Sequence, residues 1–198
     1  MSTEQTAGVR TSARADPRAH ILTTAYALFA RRGVRAVGIN EIIAESGVAK
    51  ATFYRHYPSK HDLVLAFLAE REQRWTLDLV EAGSRRPGAD PATELLAIFD
   101  VFDEWFARDD FEGCSFINVL LETGAGHPAG QAAIGYLATI RSLVHDRAAR
   151  AGLADPEEFA RSFHMLMKGS IVAAAEGDTG AARTAQDTAR HLIAAHRR

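Results

Sequence analysis

Residues 39–63 read INEIIAESGVAKATFYRHYPSKHDL, and this stretch decides the fold. Ile39, Ile42 and Ile43 recur at helical spacing and anchor a two-turn helix. Ser46-Gly47-Val48 then makes a tight turn. Gly47 suits the left-handed conformation that ends a helix, and Val48 plugs a small core. A second short helix runs from Lys50 to His56, with Phe53 and then Tyr57 facing inward. Its outer face can present Lys50, Ala51, Thr52, Tyr54, Arg55 and His56. That face is basic, hydrogen-bonding and aromatic, and Ala51 is small where a backbone must come close to a groove. A helix that reads the major groove of DNA needs such a surface. Tyr57 reads as a packing residue. For Tyr54 and His56, DNA contact is the reading and packing the alternative.

Outward from this stretch the helical punctuation continues. Asp-Pro occurs at Asp16-Pro17, Asp90-Pro91 and Asp155-Pro156. The carboxylate can cap free amides, and proline fits the first helical position, where its missing N–H costs nothing. His127-Pro128 and the capping box opened by Ser59 mark two further starts. Apolar stripes follow at helical period: Ile21, Ala25, Leu28 and Phe29; Leu63, Phe67, Trp75 and Leu79; Leu95, Phe99, Phe102 and Phe106. Three more run through Ala133–Val144, Phe159–Ala174 and Ala185–Ile193. Strand-like alternation is absent. The pattern predicts an all-α protein of about nine helices, with a linker at Gly83–Gly88 and a polar tail at 1–15. The small N-terminal domain is expected over 16–62 and the larger helical one over 63–198. A helix beginning near Ser59 is shared by both.

Charge is divided unevenly. The 198 residues carry a net charge of −2. Residues 1–60 hold nine Lys or Arg against four acids, net +5, while the remainder holds 14 against 21, net −7. A basic head on an acidic body predicts that only the head meets a polyanion. Composition excludes a disordered chain, a collagen-like fibre and a disulfide scaffold. The lone cysteine, Cys114, forms no intrachain disulfide, and a cytoplasmic location without membrane insertion is the natural reading.

The segment from about Pro17 to Leu68 resembles the TetR family of bacterial transcriptional regulators. The likeness rests on Gly47-Val48, Thr52-Phe53-Tyr54, Tyr57-Pro58-Ser59-Lys60 and Leu63. It implies that Lys50, Ala51, Thr52, Tyr54 and His56 touch DNA, that Arg55 reads a base or phosphate, and that Lys60 sits on the phosphate backbone. Gly38 and Ala49 depart from the family, which has hydroxyl residues there, so two cap or phosphate contacts are absent. Arg10 and Arg14 either reach the DNA or stay solvated. The resemblance further implies a C-terminal sensor that encloses a small-molecule effector and dimerises through its last two helices. The expected protein is a repressor that binds a palindromic operator as a homodimer and is released by that effector. Candidate ligand residues are Phe99, Phe102, Trp105, Phe106, Phe116, Asn118, His164 and Met165, with Glu122 and His127 as further polar groups. The small residues Gly169, Ser170, Ala173 and Ala174, with Ala182, Ala185 and Ala189, are expected at the dimer interface.

Two other classes compete. An enzyme is disfavoured: the chain has no HExxH, GxxxxGK[ST] or GxSxG pattern, and no catalytic residue, metal or cofactor is assigned. A redox- or electrophile-responsive regulator would act through Cys114.

Overall fold

The computed structural model describes residues 16–86 and 88–197. The tail at 1–15, with Arg10 and Arg14, and Pro87 of the linker lie outside the described residues. Within them the chain forms nine α-helices and no strand. These are α1 (Pro17–Ala36), α2 (Ile39–Ser46), α3 (Lys50–His56), α4 (Lys60–Arg71), α5 (Pro91–Phe106), α6 (Ser115–Thr123), α7 (Pro128–Arg150), α8 (Pro156–Ala175) and α9 (Ala181–His196). No helix among the described residues is long and apolar enough to cross a membrane.

The caps act as their side-chain chemistry dictates. Asp16, Asp90 and Asp155 accept from the amides of Arg18, Ala92 and Glu158 at 3.0, 2.9 and 3.3 Å. Ser59 accepts from the Asp62 amide at 3.1 Å, and His127 Nδ1 from the Ala129 amide at 3.1 Å. Gly47 closes α2 at φ 64°.

Helix α4 does not stop at Arg71. It runs on as a π-wound segment, Glu72–Ala82. The wider winding lets one rod serve two cores. Leu63 and Phe67 are buried with Ile21, Phe29, Ile42 and Phe53 in the head. Phe67 meets Tyr26 and Phe29 edge-on at 5.2 and 5.5 Å. Further along, Trp75 enters the body core and meets Phe102, Trp105 and Phe116 at 6.0, 5.3 and 6.4 Å. Aromatic pairs at such spacings add stability beyond area burial, about 0.5–1.5 kcal/mol each.

The body packs α5 against α9, α6 against α7, and α8 against both α7 and α9. Ala182, Ala185, Ala189 and Ser170 are buried within the protomer and do not form an outer face. Without bulky side chains, α9 lies close against α5 and α8. These four serve that contact, while Gly169 stays exposed and Ala173 and Ala174 half-buried on α8.

The far end of the π-wound segment is tied down by Arg147, only 2% exposed. Its guanidinium donates to Ser84 Oγ at 2.6 Å, the Glu94 carbonyl at 3.0 Å and the Glu81 carbonyl at 3.1 Å. Burial lowers its pKa, and the charges of Glu94 and Glu81 oppose that shift. Three elements thus meet on one charged group, which reaches the Glu81 carbonyl near the end of the π-wound segment and the Glu94 carbonyl in the first turn of α5. Arg147→Met should lower the unfolding free energy by about 3 kcal/mol, because it strands those acceptors and Glu94. Urea denaturation measures this, and a loss under about 1 kcal/mol would contradict it.

Candidate nucleic-acid interface

Helix α3 is held from beneath and open above. Phe53 is fully buried. Tyr57 is buried too, its hydroxyl donating to the Arg18 carbonyl at 3.3 Å and its ring facing the Arg18 guanidinium at 5.5 Å. The packing reading of Tyr57 is therefore the one the structure adopts. The outer face carries Lys50, Ala51, Tyr54 and Arg55, all exposed, flanked by the half-buried Thr52 and His56. Tyr54 rests edge-on against Phe53 at 5.4 Å, so its ring is braced while the side chain stays 39% exposed. Neither Gly38 nor Ala49 supplies a side-chain cap to the helix it precedes.

The turn that presents α3 is fixed from α1. His20 Nε2 lies 3.0 Å from the Ser46 carbonyl, and Arg32 pairs with Glu41. These contacts hold α2 across α1 and so set the direction of α3.

Lys60 sits apart from that face, at the start of α4. It lines a cleft of about 390 Å³ between head and body, together with Arg35, His61, Glu122 and His127. Burial lowers the Lys60 pKa, and the nearby Glu122 charge opposes the shift. His61 and His127 meet edge-on at 5.7 Å. Glu122, on α6, accepts the Arg35 amide at 2.7 Å. It does so because α1 breaks at Gly33, whose φ of 78° only glycine adopts without strain. A Cβ on Gly33 would also lie 2.3 Å from Glu122 Oε1. Glu122 and His127, expected among ligand-orienting groups, both line this junction cleft.

The ligand candidates separate into two sets. Phe99, Phe102, Trp105, Phe116 and His164 are buried, and Phe106 is half-buried against Phe102 at 5.4 Å. Burial, with Lys168 and Arg141 nearby, drives the His164 pKa down to about 3, so its imidazole is neutral. Asn118 and Met165 are the corrections. Asn118 is exposed, because α6 turns Phe116 and Val119 inward. Met165 is 68% exposed, because α8 turns Phe163, His164 and Met167 inward. Neither lines the interior of the protomer.

Residues 21–67 match the family model described as bacterial regulatory proteins of the tetR family. The structure superposes on a TetR-family transcriptional regulator from Streptomyces coelicolor with a TM-score of 0.82, at 27% identity, covering 91% of this chain and 95% of that one. Residues 21–67 thus carry the tetR-family segment, and the whole fold is similar to that of TetR-family regulators. A second member, a putative TetR regulator from Streptomyces avermitilis, gives a TM-score of 0.81 at 27% identity, covering 91% and 98% of the two chains. The HTH-type transcriptional activator FasR of Mycolicibacterium smegmatis is 33% identical over 98 residues, which is 48% of this chain and 43% of FasR. The regulator LmrA of Bacillus subtilis is 31% identical over 99 residues, 50% of this chain and 52% of LmrA. The chain thus spans about half the length of the curated relatives it matches. These TetR-family relatives are regulators and not enzymes.

Cys114 is 5% exposed, and burial pushes its thiol pKa up. A reactive cysteine needs the opposite, an accessible thiolate. The native thiol should resist iodoacetamide at pH 8 and become alkylated only in denaturant. Stoichiometric labelling of folded protein, read by intact mass, would restore the thiol-sensor reading.

Proposed function

We propose that the protein is a cytoplasmic repressor that binds a palindromic operator in double-stranded DNA as a homodimer and is released by a small-molecule effector. Residues 16–62 are the DNA-binding head and 63–198 the sensing and dimerising body. The observation that carries the reading is the outer face of α3. Lys50, Ala51, Tyr54 and Arg55 project from a head whose apolar residues are otherwise turned inward. Thr52 and His56 complete the contact set at its margins, and Lys60 reaches a phosphate from the start of α4. Lys50 and Arg55 supply charge, Arg55 can pair with a guanine edge, and Ala51 leaves room for a groove wall. The family supports the same role.

The homodimer reading draws on α8. Met165, Gly169 and Val172 form one exposed stripe at helical spacing, with Met165 68% and Val172 50% exposed. Apolar residues of that size in one exposed stripe favour a partner surface. Two copies joined there would carry two α3 helices toward half-sites about 34–36 Å apart. The effector acts through α4, which belongs to both cores. A ligand that binds the body more tightly in a shifted arrangement moves α4, and the two α3 helices leave the operator spacing.

The test is selection of a binding site from random duplexes, followed by gel shifts at stated salt. Arg55→Ala should weaken specific binding about 10- to 100-fold, the worth of about 1–3 kcal/mol, and relax preference at one base pair. Lys50→Ala should weaken all sequences alike and lower the salt slope by about one. Unchanged binding by both variants would contradict the assignment of α3. Expression from a reporter behind the selected site should rise when the regulator is deleted, and a fall would make it an activator, as FasR is described.

A further inference from the structure

Arginine is concentrated on one side of the junction between head and body. A groove of about 550 Å³ opens there between α1, the end of α4 with its π-wound continuation, and the segment that follows α5. Arg31, Arg71, Arg74 and Arg108 line it, against Asp110 and Glu112. Four cations meet two acids, so the lining is net +2 in a chain whose net charge is −2. Ala27, Ala30 and Leu79 give the same groove an apolar wall. Trp105, expected among the ligand residues, lines it as well.

The four cations differ in how they are answered. Arg74 pairs with Glu70 at 2.6 Å, and Arg108 with Asp110 at 2.7 Å. Among the described residues no carboxylate, Glu112 included, lies within 4 Å of Arg31 or Arg71. A guanidinium carries five N–H donors. Arg31, which is exposed, uses one of them, on the Ala27 carbonyl of its own helix at 3.3 Å. Arg71, half-buried, uses two, on Tyr26 Oη at 2.9 Å and the Gly113 carbonyl at 3.3 Å. Its guanidinium also stands 5.9 and 5.7 Å from the rings of Trp75 and Trp105. Arg71 is therefore held in place by groups that carry no charge, unlike Arg147, which has Glu94 beside it at 3.9 Å. Taking a cation out of water costs free energy that a counter-ion offsets. Burial raises the Glu112 pKa, and the charges of Arg31 and Arg71 both oppose that shift. Both arginines thus stand near one point of the groove.

We propose that this groove binds a small organic carboxylate, whose oxygens accept from Arg31 and Arg71 while its apolar body lies along Ala27, Ala30 and Leu79. Paired N–H groups of a guanidinium match the two oxygens of a carboxylate. A protonated amine would be repelled by the net charge of the lining. A neutral alcohol would leave both guanidinium charges unbalanced. The bound carboxylate touches α1 of the head and the π-wound segment of the body at once. The proposal names the chemical class of the effector and rests on the effector-controlled reading only for the link to DNA.

Calorimetry on the full-length protein with three matched probes tests it: 3-phenylpropionate, 2-phenylethanol and phenethylamine. 3-Phenylpropionate should bind about 10-fold or more tightly than either of the others. Arg31→Gln should weaken its binding about 3- to 10-fold, and Arg71→Gln about 10-fold or more. Glu112→Gln should tighten it about 3- to 10-fold, because it removes a like charge from the lining, and loss of structure cannot produce that gain. Thermal melts check the fold of each variant, and Arg31→Gln should melt as wild type does because Arg31 bonds only within its own helix. No carboxylate binding, equal binding of carboxylate and alcohol, a carboxylate preference that survives both arginine substitutions, or weaker binding by a folded Glu112→Gln overturns the site. The gel shift separates the two readings: carboxylate binding that leaves operator affinity unchanged upholds the site and overturns effector control.

Discussion

One carboxylate joins the two halves of this molecule. Glu122 projects from α6 in the body and accepts the amide of Arg35 at 2.7 Å, just past the break in α1. The contact needs glycine at position 33, both for its positive φ and because a Cβ would collide with the carboxylate. From there the consequences run outward. The corner after α1 sets where α2 lies, α2 sets the turn at Gly47, and the turn aims α3. A second connection is covalent: α4 starts in the head core at Leu63 and Phe67 and ends in the body core at Trp75 and Val80. With a rod and a clamp on either side of the cleft, a displacement in the body has a route to α3. Such a route is a mechanical argument, and it acquires meaning only if both ends prefer different arrangements.

The polar groups divide by what they face. On α3 the charged and aromatic groups are exposed, available to a partner that brings its own negative charge. In the body, Arg147 is buried but fully answered by carbonyls and Glu94. Trp75 and Thr76 are buried, and Glu72 half-buried, within a segment that has abandoned α winding.

Much of the fold was legible because its determinants are local. Asp16, Ser59, Asp90 and Asp155 cap the helices they precede, and Gly47 ends α2, since a cap and its amides are at most three residues apart. The exposed face of α3 was legible for the same reason: seven residues at helical spacing around Phe53 leave little choice. What escaped detection depends on distant pairs. Nothing near Glu122 announces Arg35, which lies 87 residues earlier. Nothing near Arg147 announces Ser84. Apolar stripes alone did not separate the inner from the outer face of α8, so Met165 was grouped with residues it turns away from. Alanines on α9 were compatible with packing inside one copy or between two, and only the neighbouring α5 decides. The basic head against the acidic body was readable as arithmetic, but which cations stay free was not, since Arg32 is paired with Glu41.

The central claim is that head and body form one mechanical unit clamped by Glu122. Distance measurement between spin labels at Glu45→Cys on α2 and Glu104→Cys on α5 tests it most directly. Both positions are exposed, and the buried Cys114 should stay unlabelled. Doubly labelled chains diluted into unlabelled protein report intrachain distances alone. The account predicts one narrow distribution for the wild type, and a broadened or shifted one for Glu122→Ala with the head still folded. A broad wild-type distribution, or one that Glu122→Ala leaves unchanged, would contradict it.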